Sequence, residues 1–497
     1  MEDLIAGLFV NLHIENLAMI MVGTIVGVIF GAIPGVGPME GVALLIPMTY
    51  IMTPIQALLF LVALYSAGTY GGSITAVLFR IPGSAEAVMT TLDGYEMAKK
   101  GQAGKALGIA ISSSAFGGLF GVMVMILLAP ILAGIALRFG PAEYFALCVL
   151  GLSVMPSVGT SQPTKAVVAG LFGLFLSTVG MDPISGALRF TFGNTALIGG
   201  IPFISSMIGL FAATELLNQI TTYRKDRRET AAVEKIRSEL PGLRELLSLR
   251  WTLLRGAIIG TWVGILPGVG ATTAAIIGYS QEVRLSKHPE RFGTGIAEGI
   301  AAPESANNAA VGGAMIPLLS LGIPGSGTTA VMVGAFLIHG LRLGPLLMVE
   351  HRPLVYALFG GMLLSNIMMV VVGLVACRYA AKILSIPYPF LATVIASFCI
   401  VGSYALGDIY GIWFVISFAI IGYLMGRTGF PTAPVILGYV LGPIAEASFR
   451  RAFIIAGGDV LAIVTRPITF VLLLLAVLSF LWPSIAGCTT KRRKGAV

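Results

Sequence analysis

The chain interrupts an apolar helix pattern in its middle, and it does so twice with the same residues. Gly23, Gly27, Gly31, Pro34, Gly35, Val36 and Gly37 return 233 positions further on as Gly256, Gly260, Gly264, Pro267, Gly268, Val269 and Gly270. A helix broken within hydrocarbon frees backbone N–H and C=O groups, each costing several kcal/mol unless protein, water or a ligand satisfies it. Paired breaks in corresponding places of two halves point to the binding site of a secondary transporter.

The surroundings of the breaks are those of a membrane protein. The 497 residues are 56% hydrophobic and only 11% charged, where a soluble domain carries roughly a quarter charged residues. Apolar runs joined by short polar stretches leave no room for a soluble catalytic module. The net charge of +8 is no sign of nucleic acid, because its Lys and Arg cluster at Tyr223–Arg250 and Lys491–Lys494. Such clustering matches the excess of basic residues on the cytoplasmic side. Glu2, Asp3 and Glu15 precede the first basic residue, Arg80, so the basic start of a secretory leader is not expected. Cys148, Cys377, Cys399 and Cys488 have neither pairing nor metal spacing and read as free, packing thiols.

Helical runs are expected near 17–33, 37–52, 55–79, 106–128, 142–158, 165–181 and 195–220, and then near 251–266, 271–283, 294–322, 326–341, 353–376, 383–402, 409–426, 430–446 and 467–486. Several are shorter than the roughly 20 residues a spanning helix needs, and those flanking the breaks read as paired half-helices. The repeat continues past the first break. Ile81-Pro82-Gly83-Ser84 returns as Ile323-Pro324-Gly325-Ser326, and Phe116-Gly117-Gly118 as Phe359-Gly360-Gly361. The fold class expected is therefore an all-α polytopic membrane protein of two structural repeats with broken, re-entrant helices, plus an extra C-terminal helix. Residues 1–222 form the first transmembrane repeat, 223–250 a basic cytoplasmic linker, 251–455 the second repeat, and 456–497 the extra helix and basic tail.

Charge makes the repeats inverted. The joint at Tyr50–Pro54 has no basic residue, whereas its counterpart carries Arg284, Lys287 and Arg291. The segment after the first Pro-Gly-Ser carries Lys99, Lys100 and Lys105, whereas its counterpart mixes Arg342 and Arg352 with Glu350. Since basic loops prefer the cytoplasm, equivalent joints face opposite sides. That sets the N-terminus outside and both Tyr223–Arg250 and the C-terminus inside.

The candidate binding residues lie at the breaks. The glycines four apart before each break permit close helix approach. After it, Gly35, Gly37, Gly268 and Gly270 can take φ > 0 and let a ligand near the backbone. The half-helices that follow expose N–H groups and a partial positive charge, which bind carboxylates and phosphates without a buried cation. Thr272 and Thr273 add hydroxyls there. Glu40 either answers the helix dipole or helps hold a coupling cation. Gly83, Ser84, Gly325, Ser326, Thr328 and Thr329 repeat the logic at the Pro-Gly-Ser loops, where Ser84 and Ser326 suit N-caps and Glu86 a capping box.

Charged and amide groups in apolar surroundings come next. Glu304, Asn307 and Asn308 interrupt a long apolar run, and an ionisable residue inside a membrane is a functional candidate. They contact an ion or substrate, or they form a buried network between helices. Lys165, in the polar stretch Thr160–Lys165, meets an anion or snorkels to the interface. Arg80 either selects an anion or anchors at the membrane boundary; its repeat partner is Gly322.

No His-Glu-x-x-His, no Gly-x-Ser-x-Gly and no P-loop occurs in the sequence, so neither metal-dependent hydrolysis, a hydrolase elbow nor ATP binding is expected. No catalytic residue, metal site or cofactor is assigned, and energy comes from an ion gradient or another subunit.

The segments Gly31-Ala-Ile-Pro-Gly-Val-Gly-Pro38 and Gly264-Ile-Leu-Pro-Gly-Val-Gly-Ala-Thr-Thr273, with Ile81-Pro-Gly-Ser84 and Leu321-Gly-Ile-Pro-Gly-Ser-Gly-Thr-Thr329, resemble the large membrane subunit of the tripartite tricarboxylate transporters, the TctA family. The resemblance implies a bacterial inner-membrane permease working with a small four-helix membrane subunit and a periplasmic solute-binding protein. It implies secondary transport of citrate or related carboxylates, driven by Na⁺ or H⁺. A passive channel or pore for small anions is the alternative, since channels also use broken helices.

Overall fold

The helices starting at Pro54, Gly327 and Val460 begin on capping side chains, Thr53, Ser326 and Asp459, and those ending at Phe79 and Leu321 stop on the left-handed Arg80 and Gly322. A computed structural model of the protein describes residues 2–33, 35–157, 163–182, 184–222, 240–383 and 388–494. Pro34, the stretch 158–162 with Thr160, and linker residues 223–239 lie outside the described residues, as do the side chains of Cys488 and Lys491–Lys494.

The first half comprises α1 (Glu2–Asn11), α2 (Ile14–Ala32), α3 (Pro38–Leu45), α4 (Pro54–Phe79), α5 (Thr90–Met97), α6 (Ala103–Ala136), α7 (Pro141–Ser153), α8 (Pro163–Ser177), α9 (Phe203–Met207) and α10 (Thr214–Thr222). The second comprises α11 (Leu243–Ser248), α12 (Arg250–Ile265), α13 (Gly270–Leu285), α14 (Ala297–Leu321), α15 (Gly327–Ile338), α16 (Leu347–Glu350), α17 (Arg352–Ile383), α18 (Tyr388–Thr428), α19 (Ala433–Ile455), α20 (Val460–Val464) and α21 (Pro467–Lys494). A two-stranded hairpin, β1 (Gly180–Met181) with β2 (Leu188–Arg189), follows α8. Among the described residues, five helices are long and apolar enough to cross a membrane, and shorter apolar helices accompany them. The molecule is an all-α membrane protein apart from that small hairpin.

Two helices depart from the expected runs. The runs 383–402 and 409–426 meet in one helix, α18, which continues through 403–408; Ser403 is buried and turns its hydroxyl back onto the Ile400 carbonyl at 3.0 Å, so it does not compete with the helix ladder. The N-terminal segment, ahead of the first helical run expected at 17–33, also forms a helix, α1, which packs on α17, where Asn11 donates to the carbonyl of Ala357 at 2.7 Å.

The core is built on two equivalent helices. Thr53 and Gln56 form a capping box and Pro54 occupies the first turn, so α4 starts sharply. Its residues Ala57–Val77 are all buried. Residues Gly299–Ser320 of α14 are likewise buried. The glycine stripes explain why. Gly23, Gly27 and Gly31 of α2 lie against the backbone of Phe60, Leu64 and Gly68 on α4; Gly256, Gly260 and Gly264 of α12 lie against Ala302, Ala306 and Ala310 on α14. A β-carbon on Gly31 would stand 2.1 Å from the Gly68 carbonyl oxygen, and one on Gly260 2.1 Å from that of Ala306. Small residues at this spacing allow backbone contact, which drives helix association in lipid.

Each interrupted pair is a hairpin closed at its base. Gln56 Nε2 donates to Glu15 at 3.0 Å, joining the start of α2 to the chain leaving α3. Thr252 donates to Glu282 at 2.7 Å and Arg255 at 2.6 Å, joining the start of α12 to the end of α13. Both hairpin tips lie within the bundle.

Candidate functional site

The interrupted tips meet. Gly35 has φ 83° and Gly268 and Gly270 have φ 76° and 71°, the left-handed region in which glycine is at ease. The Gly35 N–H donates to the Gly83 carbonyl at 3.1 Å, and the Gly83 N–H to that of Gly72 at 3.1 Å. The first Pro-Gly-Ser loop is thus tied to the first hairpin tip. A β-carbon on Gly83 would stand 2.1 Å from the Gly31 carbonyl oxygen, and one on Gly325 2.6 Å from that of Gly264. The second loop therefore seats on the second hairpin in the same way.

Between these four segments lies a cavity of about 720 Å³. It is lined by Gly35, Gly37 and Glu40 from the first tip, Gly83, Ser84 and Glu86 from the first loop, Gly268, Gly270, Thr272 and Thr273 from the second tip, and Ser326 and Thr328 from the second loop. Three helix N-termini open on it: α3, α13 and α15. The first turn of a helix has N–H groups without an intrahelical partner and a partial positive charge, the arrangement that receives an anion where its own side chains do not answer it. Among the described residues no Lys, Arg or His lines it. Anion affinity here would come from backbone and hydroxyls.

The rims differ in detail. At α3 the Gly37 N–H is taken by Glu40 Oε2 at 3.0 Å. At α15 the Ser326 N–H donates to Thr329 Oγ1 at 2.8 Å, and the Thr329 N–H to Ser326 Oγ at 3.2 Å. Thr329 is thereby buried in its cap, outside the cavity lining, while Thr328 faces it. Gly325 is also outside the lining.

Glu304, Asn307 and Asn308 are fully buried on α14 and do not line the cavity. Asn308 Nδ2 donates to the Ser66 carbonyl at 3.2 Å, and the Ser66 hydroxyl to Asn366 at 3.2 Å, tying α14, α4 and α17 together. Asn307 Nδ2 reaches the carbonyl of Glu86 at 3.4 Å, directly behind the cavity wall. Arg80 stands apart: it ends α4 at φ 57°, with its head 5.7 Å from the Tyr95 ring and 3.8 Å from Glu96. Lys165 donates to the Thr428 carbonyl at 2.7 Å and lies over Phe430, also away from the cavity.

Sequence reasoning missed Tyr65. It lies in the middle of buried α4, lines the cavity and hydrogen-bonds Ser326 at 3.0 Å. The signal existed: the register that pairs Ile81 with Ile323 pairs Tyr65 with Asn307. Each central helix reaches across to the other repeat's Pro-Gly-Ser loop, α4 through Tyr65 and α14 through Asn307. Glu86, read as a cap, lines the cavity as well.

No solved structure matches the chain. An Agrobacterium vitis protein described as "Uncharacterized 52.8 kDa protein in TAR-I ttuC' 3'region" is 38% identical over 493 residues, covering 98% of each chain. A second from the same organism, "Uncharacterized protein in TAR-II ttuC' 3'region", is 40% identical over 230 residues, 46% of this chain and 95% of its own. The family profile described as "Tripartite tricarboxylate transporter TctA family" matches residues 17–437, a span that contains both interrupted hairpins and both Pro-Gly-Ser loops. The chain belongs to that transporter family, a component of a tripartite transporter rather than an enzyme.

Proposed function

We propose that the chain is the permease subunit of a binding-protein-dependent secondary transporter that imports tricarboxylates or related organic anions, driven by a Na⁺ or H⁺ gradient. The observation that carries this reading is the convergence of four interrupted segments on one cavity lined by helix N-termini and hydroxyls. Such a site binds a carboxylate without a fixed cation and releases it without breaking a strong ion pair. The small four-helix subunit and the periplasmic binding protein complete the system, and the chain sits in the bacterial inner membrane.

Inverted repeats over 1–222 and 251–455, followed by the extra helix in 456–497, fit the contacts. The first hairpin closes at Glu15 and Gln56, where α4 begins. The other end of α4 lies at Arg80 and Glu96, close to Lys100, which donates to the carbonyl of Thr294 just beyond α13. Lys105 pairs with Glu245 at 2.7 Å, just ahead of α12. The bases of the two hairpins thus associate with opposite ends of α4. The basic end is the cytoplasmic one on charge grounds, which leaves the N-terminus periplasmic and the C-terminus cytoplasmic.

The test is uptake of labelled citrate, with a panel of di- and tricarboxylates, into proteoliposomes containing this chain and the small subunit. The expected result is accumulation that needs both the binding protein and a cation gradient. Equilibration at the same rate without any gradient would replace the reading by a passive pore.

A further inference from the structure

Behind the cavity wall lies a carboxyl group whose surroundings are unlike those of any other acid in the described residues. Glu304, on α14 immediately after Pro303, is fully buried. Ser73 of α4 donates to its Oε1 at 2.5 Å, Thr90 of α5 donates to the same oxygen, and Ser114 of α6 donates to Oε2 at 2.7 Å. Asn307 follows one turn along the same helix and is fully buried too. Its Nδ2 lies 3.4 Å from the Glu86 carbonyl in the cavity wall. Asn307 Oδ1, itself fully buried, has no hydrogen-bond partner among the described residues.

We propose that Glu304 binds the coupling proton and reports its presence to the cavity through Asn307 and the Glu86 segment. The proposal rests on the transport reading above and names its driving ion. Hydroxyls are the partners such a group needs, because each donates to a carboxylate and, after rotation, accepts from a carboxylic acid. Protonation at Oε1 turns one hydroxyl from donor to acceptor without moving a heavy atom. The spare Asn307 oxygen offers an acceptor when the local hydrogen-bond directions reverse. The other titratable groups facing this cluster are Tyr70 on α4, Asp93 on α5 and Glu86. Tyr70 is bonded to Cys377 of α17; Asp93 is held by Tyr279 and the N–H groups of Gly293, Gly295 and Ile296. Arg255 and Glu282 on the α12–α13 hairpin are paired with each other.

Two readouts test this on the full chain with its membrane partner. By infrared difference spectroscopy, a carboxylic acid C=O band that appears as pH falls should be absent in Glu304→Gln. Ser114→Ala, which keeps the carboxyl but removes a donor to its ionised form, should move the midpoint of that band to higher pH by about one unit. In sodium-free proteoliposomes supplied with the binding protein, an inside-alkaline gradient should drive citrate accumulation, and Glu304→Gln should accumulate about tenfold less, with an exchange rate independent of pH. A titrating band identical in Glu304→Gln, or driven accumulation that survives the substitution, overturns the proposal. Accumulation by the unaltered chain on a sodium gradient alone overturns it too, while leaving the transport reading in place. Failure of citrate movement under every gradient would count against the transport reading, and the infrared band would still decide whether Glu304 takes up a proton.

Discussion

The two rims of the cavity share a left-handed glycine, Gly35 and Gly268, but Gly37 is extended at φ −82° where its counterpart Gly270 is left-handed at 71°, and the rims differ in charge. On the first rim, α3 begins Pro38-Met39-Glu40, and Glu40 takes the Gly37 N–H for itself; Glu86 stands beside it in the lining. On the second, α13 and α15 begin with glycine followed by Thr272, Thr273 and Thr328, with no carboxylate. A helix N-terminus already answered by its own carboxylate has little left for an anion, whereas one fringed with hydroxyls keeps its attraction. The two interruptions share a sequence motif and differ in the side chains around it. On the function proposed above, the second rim would receive the anion and the first a positive charge or a proton.

The largest effect should come from breaking the shared backbone. Gly83→Val and Gly325→Val each force a side chain into a carbonyl oxygen of the glycine before the break. Such overpacking against backbone costs about 1–3 kcal/mol or more, so both variants should lose folded protein in the membrane, measured by detergent-solubilised yield and thermal unfolding. Gly268→Val is different, because its penalty is conformational: left-handed φ costs a bulky residue roughly 1–2 kcal/mol. It should insert and abolish uptake. Normal uptake by Gly268→Val would remove the second tip from the site.

Next come the rims themselves. Thr272→Val with Thr328→Val should raise the half-saturation for citrate by about thirtyfold, since two hydrogen bonds of about 1 kcal/mol each would be lost. Glu40→Gln should do the reverse, tightening citrate binding about threefold at low ionic strength and less in salt. Equilibrium binding on the purified complex measures both. Equal and same-signed effects would erase the distinction between the rims. Tyr65→Phe, which removes one hydroxyl from Ser326, should cost about fivefold in half-saturation.

The sequence carried the interruptions openly because proline and glycine leave few backbone alternatives in hydrocarbon. Their convergence was legible too, through the repeat. What it did not reveal was anything assembled across distant helices. Ser73, Thr90 and Ser114 sit in three separate segments, and nothing local marks them as donors to Glu304. Tyr65 was hidden because a lone aromatic in an apolar run is indistinguishable from core. Gly325 and Thr329 show how a motif and a lining part ways: neither lines the cavity, one packing against Gly264 and the other closing its own cap. A motif names a segment, and packing then decides which of its atoms face the cavity.

The smallest effect sharpens the comparison at its edge. Arg80 and Gly322 occupy equivalent ends of α4 and α14, and both are left-handed, at φ 57° and 75°. In the second repeat glycine takes this conformation freely; in the first an arginine takes it at about 1–2 kcal/mol. Its contact with Glu96 is 3.8 Å long and its side chain is 59% exposed, so that pair returns little. Glycine carries its own entropic cost of about 0.5–1 kcal/mol, which leaves a net gain near 0.5 kcal/mol for Arg80→Gly. The variant should therefore melt slightly higher than the parent and transport citrate with unchanged half-saturation, since the guanidinium stands outside the cavity. A lower melting temperature would mean that the Glu96 and Tyr95 contacts outweigh the backbone. A raised half-saturation would bring Arg80 to the substrate and break the rule that no fixed cation serves this site.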